Sequence, residues 1–269
     1  YKNEDLIECG LFGYKSETKK IYDKFRNRVM FPIFDYRGNV IGFGGRVLDD
    51  SLPKYLNSPD TLIFNKRQNL YGLNFARKEI KDRSVILVEG YMDLISLYQY
   101  GIKNVVATLG TALTDGQGSL IKRYADTVII SYDSDEAGIK ATLRAIEILN
   151  KLDINVKVLN LKECKDPDEF IKSYGDQGAP RFKQLLQSCD NDIDYQLEKL
   201  KKVHNVQSSE GKVAYIKAAS LILAKIQNSL EKEVYAIKLA EFVGVDKSLI
   251  INQIKKEKSK YNKINEKKK

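Results

Sequence analysis

A set of carboxylates stands where an α/β protein tends to do its chemistry. Glu89 ends the apolar run Val85-Ile86-Leu87-Val88, and Asp93 follows shortly after. Asp133 and Asp135 come just after Val128-Ile129-Ile130, and a third cluster, Asp166-Pro167-Asp168-Glu169, lies downstream. Short β-branched runs of this kind read as parallel strands buried on both faces. In open α/β sheets, ligands sit in the crevice outside the carboxyl ends of the strands, where Glu89 and Asp133 would project. Asp133 and Asp135 alternate with one residue between them, so they share a face of an extended segment. Carboxylates crowded at one edge repel each other unless cations lie between them. With no His or Cys nearby, an oxygen-only set points to Mg²⁺ or Mn²⁺ rather than Zn²⁺. The bland alternative is that Asp133-Ser134-Asp135-Glu136 merely caps the next helix, as a lone acid after a strand usually does. Two clusters at corresponding strand ends, with a third beyond them, shift the balance toward metal.

Positioning such groups takes repeated β–α units, and the chain supplies them. Strand 85–88, helix 92–100 closed by Gly101, strand 105–109, helix 115–125, strand 127–132, helix 136–150 and strand 156–159 alternate, which predicts a parallel sheet with right-handed crossovers. Gly90 and Gly110 allow tight turns at the edge that carries Glu89. Upstream, 28–34 and 40–48 read as strands around the turn Asp35-Tyr36-Arg37-Gly38-Asn39. Gly42, Gly44 and Gly45 have no helix pattern after them. Close backbone approach or a bulge is therefore the preferred reading, with phosphate contact through backbone amides the minor one. Pro53 and Pro59 bracket a loop presenting Lys54, Tyr55 and Asn57, and interleaved basic and aromatic residues suit phosphate and base contact.

Residues 1–20 hold one short helix ended by Gly10 and read as an excised piece of something longer. Residues 180–254 read as helical. Within them, Val243-Gly244-Val245-Asp246-Lys247-Ser248 mimics a helix-turn-helix, but two packed helices of a small bundle fit better, because the second helix offers few residues for base edges. The lysine-rich stretch 255–269 reads as a solvated extension.

At 269 residues, 43% hydrophobic and 30% charged, the chain suits one large globular domain or a few small ones. No apolar run is long enough to span a membrane and no signal-peptide pattern opens the chain, which leads us to expect a cytoplasmic protein without a membrane partner. Cys9, Cys164 and Cys189 show no CxxC spacing and His204 is the only histidine, so neither a zinc site nor a disulfide framework is expected. The net charge of +9 is uneven. Residues 15–83 carry 15 basic and 8 acidic side chains, residues 84–176 carry 10 and 14, and residues 255–269 carry eight lysines against two glutamates. A basic segment followed by an acidic one suits a lobe that holds polyanion beside a lobe that holds metal.

Glu89-Gly90-Tyr91-Met92-Asp93, with Asp133-Ser134-Asp135, resembles the Toprim signature of primases and topoisomerases. The segments Arg28-Val29-Met30-Phe31-Pro32-Ile33, Ile41-Gly42-Phe43-Gly44-Gly45-Arg46, Pro53-Lys54-Tyr55-Leu56-Asn57-Ser58-Pro59 and Ala107-Thr108-Leu109-Gly110-Thr111-Ala112 narrow the resemblance to the catalytic core of bacterial DnaG-type primases. It implies an α/β fold, with a Rossmann-like parallel Toprim sheet (83–178), a mixed α+β basic subdomain before it (1–82), a small helical subdomain after it (179–256), and a tail (257–269). It implies short RNA primers made from NTPs on a single-stranded DNA template at the replication fork. Glu89 would act in proton transfer or metal organisation, Asp133, Asp135, Asp166 and Asp168 would bind metal, and Asp93 would support them. Arg46, Lys54, Tyr55, Asn57 and Lys66 would face nucleotide and template. Guanosine tetra- and pentaphosphate are implied inhibitors of the same pocket, and a replicative helicase is an implied partner. The zinc module and the helicase-binding domain of the family are expected to be absent from this chain, and the chain is therefore expected to prime poorly alone. Rival readings are a Toprim topoisomerase, which needs a tyrosine nucleophile on another domain, a Toprim nuclease, and a non-catalytic nucleic-acid-binding module.

Overall fold

The computed structural model describes residues 2–161 and 164–266. They pack as two units, Tyr1–Cys189 and Asp190–Lys269. Helix α1 (Asn3–Glu8) ends at Gly10, whose φ of +77° few side chains tolerate. A hairpin of β1 (Phe12–Lys15) and β2 (Lys20–Asp23) comes next, where only the helix was expected. Strands β3 (Val29–Phe34), β4 (Val40–Arg46) and β5 (Tyr55–Asn57) form an antiparallel sheet in that order. The β3–β4 turn is built by Asp35, whose Oδ1 accepts the amides of Arg37, Gly38 and Asn39 at 2.8, 2.8 and 2.9 Å. The strand glycines mark close approach, as expected. A Cβ on Gly42 would lie 3.1 Å from the Phe64 ring, and one on Gly44 would lie 2.9–3.0 Å from the Tyr91 ring. The bulge falls elsewhere, between Ile33 and Phe34.

Helix α2 (Leu73–Glu79) leads into the alternating part: β6 (Ser84–Val88), α3 (Tyr91–Gln99), β7 (Val105–Ala107), α4 (Asp115–Lys122), β8 (Thr127–Ile130), α5 (Glu136–Lys151), β9 (Asn155–Val158), α6 (Pro167–Ser173) and α7 (Gly178–Gln187). Within this unit the strands run β9-β8-β6-β7, and every pairing is parallel. Ile86 sits level with Val105 and Ile129, so the carboxyl ends of β6 and β8 finish together. Their side chains are buried against Leu94 and Leu97 of α3 and Phe170, Ile171 and Phe182 of α6 and α7. Strand β7 is shorter than the apolar run suggests. It stops at Ala107, whose backbone also pairs with Tyr71, and Thr108 and Leu109 are freed for work at the edge.

The second unit holds α8 (Asp192–Val203), α9 (Ser209–Ala224), α10 (Ser229–Val243) and α11 (Lys247–Glu266) around Leu197, Tyr215, Leu223, Leu239, Ile250 and Ile254. Gly244, at φ +73°, ends α10, and α11 packs back on α9 and α10, so the helix-turn-helix mimic is two helices of a bundle. The lysine-rich stretch continues α11 through Glu266, with Lys255, Lys256, Lys258 and Lys260 exposed. Residues 267–269 lie outside the described residues. Among the described residues no helix is long and apolar enough to cross a membrane.

Candidate active site

Because β6 and β8 end level, the residues just beyond them meet. Glu89 comes directly after β6, and its Oε1 accepts the backbone amide of Asp133 at 3.3 Å. Thr108, just past β7, donates its hydroxyl to the Glu89 carbonyl oxygen at 3.1 Å. Burial pushes the Glu89 carboxyl up, and the charges of Asp133 and Asp135 push it further. Asp133 is raised by burial and then by Asp166. Asp93, in the first turn of α3, is only 9% exposed. Burial, then Asp166 and Asp133, push it up to about 7, although the backbone amides of Asp168 and Gly90 partly offset this. Five of the six predicted acids thus lie in one another's fields at this edge of the sheet, and Asp168 acts with Asp93 and Asp166 on Tyr55.

The arrangement departs from simple crowding. Asp135 caps α5 through its Oδ1 and the Gly138 amide at 2.9 Å, and Asp166 caps α6 through the Glu169 amide at 2.8 Å. The capping reading and the site reading are therefore compatible for these residues, since each carboxylate has a second oxygen. Asp168 lies in the first turn of α6 rather than on a loop, with Lys172 Nζ 2.7 Å from its Oδ2. Lys165 Nζ lies 3.7 Å from Asp133 Oδ2. Among the described residues no group of three His, Cys, Asp or Glu side chains is poised to hold an ion by itself. The donor set still fits a hard divalent cation. Glu89, Asp93 and Asp133 are all disfavoured as anions, and Asp168 Oδ1 is buried without a hydrogen-bond partner among the described residues. Mg²⁺ and Mn²⁺ suit such a site because Mg²⁺ in particular keeps water and shares its shell with substrate phosphates.

The antiparallel sheet supplies the facing side. The Arg46 guanidinium lies over the Tyr55 ring, 5.5 Å from its centroid. Burial raises the Tyr55 phenol, Arg46 opposes the rise, and the charges of Asp93, Asp168 and Asp166 add to it. Tyr91 is the hub that sequence reasoning missed. Its ring stacks on Phe31 at 5.5 Å and meets Tyr55 and Tyr71 at 5.8 and 4.9 Å. Its hydroxyl donates to Asn57 Oδ1, and Asn57 Nδ2 donates to the Leu109 carbonyl at 2.9 Å. Both ends of the Asn57 amide are thus used inside the protein, where they set the frame of the site. Lys54 is exposed beside this lip, while Lys66 sits on a loop whose backbone is held by Asp60 and by Gln117 of α4. Lys165, Lys172 and Thr108 were also missed, and only their closeness in sequence to an acid or a strand end could have flagged them.

Gly138 shows how tightly this edge is drawn. A Cβ there would lie 2.1 Å from the Asp133 carbonyl oxygen. Gly138→Ala is therefore expected to displace the Asp133 turn and destabilise the unit by about 1–3 kcal/mol, as overpacking does. Urea unfolding of variant and parent would measure it, and equal midpoints would show that the turn yields freely.

Comparison with known proteins fits this geometry. A model of the DNA primase catalytic core N-terminal domain matches residues 1–77, and a Toprim-like model matches residues 86–171. A model of the DnaB-helicase binding domain of primase matches residues 193–248. That match corrects the expectation that such a domain is absent, since it falls on α8–α10. The DNA primase of Clostridium acetobutylicum is 49% identical over 254 residues, which span 94% of this chain and 42% of that protein. That of Halalkalibacterium halodurans is 39% identical over 252 residues, spanning 93% and 41%. The chain thus spans about two fifths of the length of these curated relatives. A DnaG primase catalytic domain bound to single-stranded DNA superposes with a TM-score of 0.77 at 33% identity, over 91% of this chain and 77% of that one. The crystal structure of a DNA primase domain from Pseudomonas aeruginosa gives a TM-score of 0.79 at 37% identity, over 94% and 81% of the two chains. A relative so similar, matched over four fifths of its own length and with the same α/β core, shows that this chain belongs to the DnaG-type DNA primase family and corresponds to its catalytic core.

Proposed function

We propose that this chain performs the chemical step of priming, in which short RNA primers are made from NTPs on single-stranded DNA during replication, at the cytoplasmic replication fork. The observation that carries this reading is an acidic sheet edge faced by an arginine–tyrosine lip within one packed unit. Mg²⁺ or Mn²⁺ held by Glu89, Asp133, Asp135, Asp166 and Asp168, with Asp93 in support, would neutralise charge on the attacking and leaving oxygens. The protein's own groups do the rest. Glu89, fixed by the Asp133 amide, accepts the proton of the attacking 3′-hydroxyl, and its raised proton affinity brings it closer to the working pH. Arg46, whose guanidinium lies over the Tyr55 ring, would grip triphosphate oxygens through its charge-assisted N–H groups. Tyr55 offers an aromatic surface to the incoming nucleotide, and Lys54 and Lys66 add positive charge.

The partners follow from this chemistry: single-stranded DNA template, NTPs and the RNA primer. The bundle matched by the helicase-binding model would dock a replicative helicase. Guanosine tetra- and pentaphosphate would compete with GTP for the lip. Incorporation of radiolabelled NTPs on single-stranded DNA tests the activity. Cleavage of the template without incorporation would turn the reading into that of a nuclease. Lys54→Ala should weaken nucleotide binding and lower the salt dependence by about one counterion's worth in the log–log slope. Equal slopes for variant and parent would return Lys54 to an ordinary solvated lysine.

A further inference from the structure

Lys165 stands inside the acidic edge. Its Nζ lies 3.7 Å from Asp133 Oδ2, and its charge acts on both Asp133 and Glu89. Its backbone is held from two sides. The Lys165 carbonyl accepts the Ser134 amide at 2.8 Å, and the Lys165 amide donates to Glu169 Oε2 at 2.5 Å. Ser134 Oγ donates to the neighbouring Cys164 carbonyl at 3.3 Å. The segment that carries Lys165 is thereby stitched to the turn that carries Asp133, so the ammonium is delivered to that carboxylate by the fold. Its side chain is nevertheless 59% exposed, which leaves it free to swing into water. Lys172 takes an oxygen of Asp168 in a similar way, but from one helical turn along the same helix, where such pairs are common and weak.

We propose that Lys165 is a resident counter-cation: it screens Asp133 and Glu89 when no divalent ion is bound, competes with that ion for Asp133, and so sets the metal concentration at which the site fills. The proposal rests on the reading of these carboxylates as a metal site. A divalent ion entering beside an ammonium either meets its repulsion or displaces it from Asp133, and both weaken binding. Because the lysine is largely exposed, water and salt screen the effect, and neutralising Lys165 should tighten divalent-ion binding by about three- to ten-fold. Neutralisation should also leave the acids without their screen and lower the melting temperature in EDTA at neutral pH. A lysine that merely braced the loop would lower stability too, but would leave ion affinity unchanged or weakened.

The test is a Mn²⁺ titration of the whole chain without nucleotide, followed by electron paramagnetic resonance at fixed ionic strength. It compares parent, Lys165→Gln, Lys165→Met and Lys165→Arg, with melting curves of each in EDTA. Tighter Mn²⁺ binding in the Gln or Met variant, with parent-like binding in Arg, is the expected result. The second neutral variant serves if circular dichroism shows that the first does not fold. Unchanged or weaker binding in the neutral variants overturns the proposal, as does equal tightening in Lys165→Arg, which would trace the effect to shape rather than charge. A parent with no saturable Mn²⁺ site overturns the metal reading itself and the proposal with it. A parent that binds, with neutral variants that match it, sinks the proposal alone.

Discussion

Glu89→Gln is expected to cut NTP incorporation by about 10²–10⁴-fold, the range in which a positioned general base contributes, while the fold stays intact. Glutamine keeps the shape and the acceptor oxygen that receives the Asp133 amide at 3.3 Å, so the turn after β6 has no reason to move. It cannot take up the proton of an attacking hydroxyl. It also removes one of several mutually repelling charges, so stability without divalent ions should hold or rise. In the parent, activity should climb with pH as the raised Glu89 carboxyl ionises, and the variant should lack that limb. The measurement is nucleotide incorporation on a primed template across pH, paired with melting curves. Residual activity above roughly a tenth of the parent's would remove Glu89 from proton transfer. A fall in activity matched by a fall in melting temperature would make its role structural.

The second large effect concerns stability. Asp93 titrates at about 7 in the folded chain, against about 3.9 for an unfolded aspartate. The folded state therefore holds this proton more tightly than the unfolded state. Below about pH 4 both states are protonated and Asp93 costs nothing. As pH rises toward 7 the unfolded chain ionises first and stability falls; above 7 both are ionised and the full penalty, on the order of 4 kcal/mol at most, is present. Asp93→Asn removes the charge at nearly constant shape. In EDTA at pH 8 the variant should melt at a higher temperature than the parent, by a margin worth about 2–4 kcal/mol, and the gap should close as pH drops to 4. A gap that is constant with pH would show that the gain comes from packing or hydrogen bonding. A less stable variant at pH 8 would show that the buried carboxylate is compensated inside the protein.

Much of the fold and of the acidic edge was legible in the sequence because both depend on local rules. The apolar runs 85–88 and 128–130 are too short and branched for helices, and their level ends follow from parallel pairing, so Glu89 and Asp133 could be placed on one edge from residue pattern alone. Gly42 and Gly44 could be read as close-approach positions because no helix pattern comes after them. Features that stayed hidden depend on contacts distant in sequence. Tyr91 looks like a spacer within its motif, yet it binds Asn57 and stacks on Phe31. Only its place next to Asp166 sets Lys165 apart locally from the many other lysines, and that does not reveal its partner Asp133, which lies a strand and a helix away. The aspartates 135 and 166 obey two rules at once, capping and charge clustering, and sequence cannot say which oxygen serves which. The hairpin at 12–23 went unread because its strands are short and half polar.

The run from Tyr91 through Asn57 to the Leu109 carbonyl has a consequence for how the molecule comes apart. Phe31 and Tyr55 of the antiparallel sheet, Tyr71, and Tyr91 at the start of α3 form one aromatic cluster, and the amide of Asn57 spans the seam to Tyr91 and the Leu109 carbonyl. Opening that seam would strip Tyr91, Leu109, Phe64 and Ile33 of their shared cover, because these buried residues form a single apolar cluster. Local opening of the lip is then expected to be coupled to fraying of the acidic edge, so that the two opening events share one cooperative unit rather than forming a lid on a rigid base. The side that would grip the nucleotide and the side that would react with it are therefore won or lost together, and partial unfolding gives no half-assembled, wrongly reactive site.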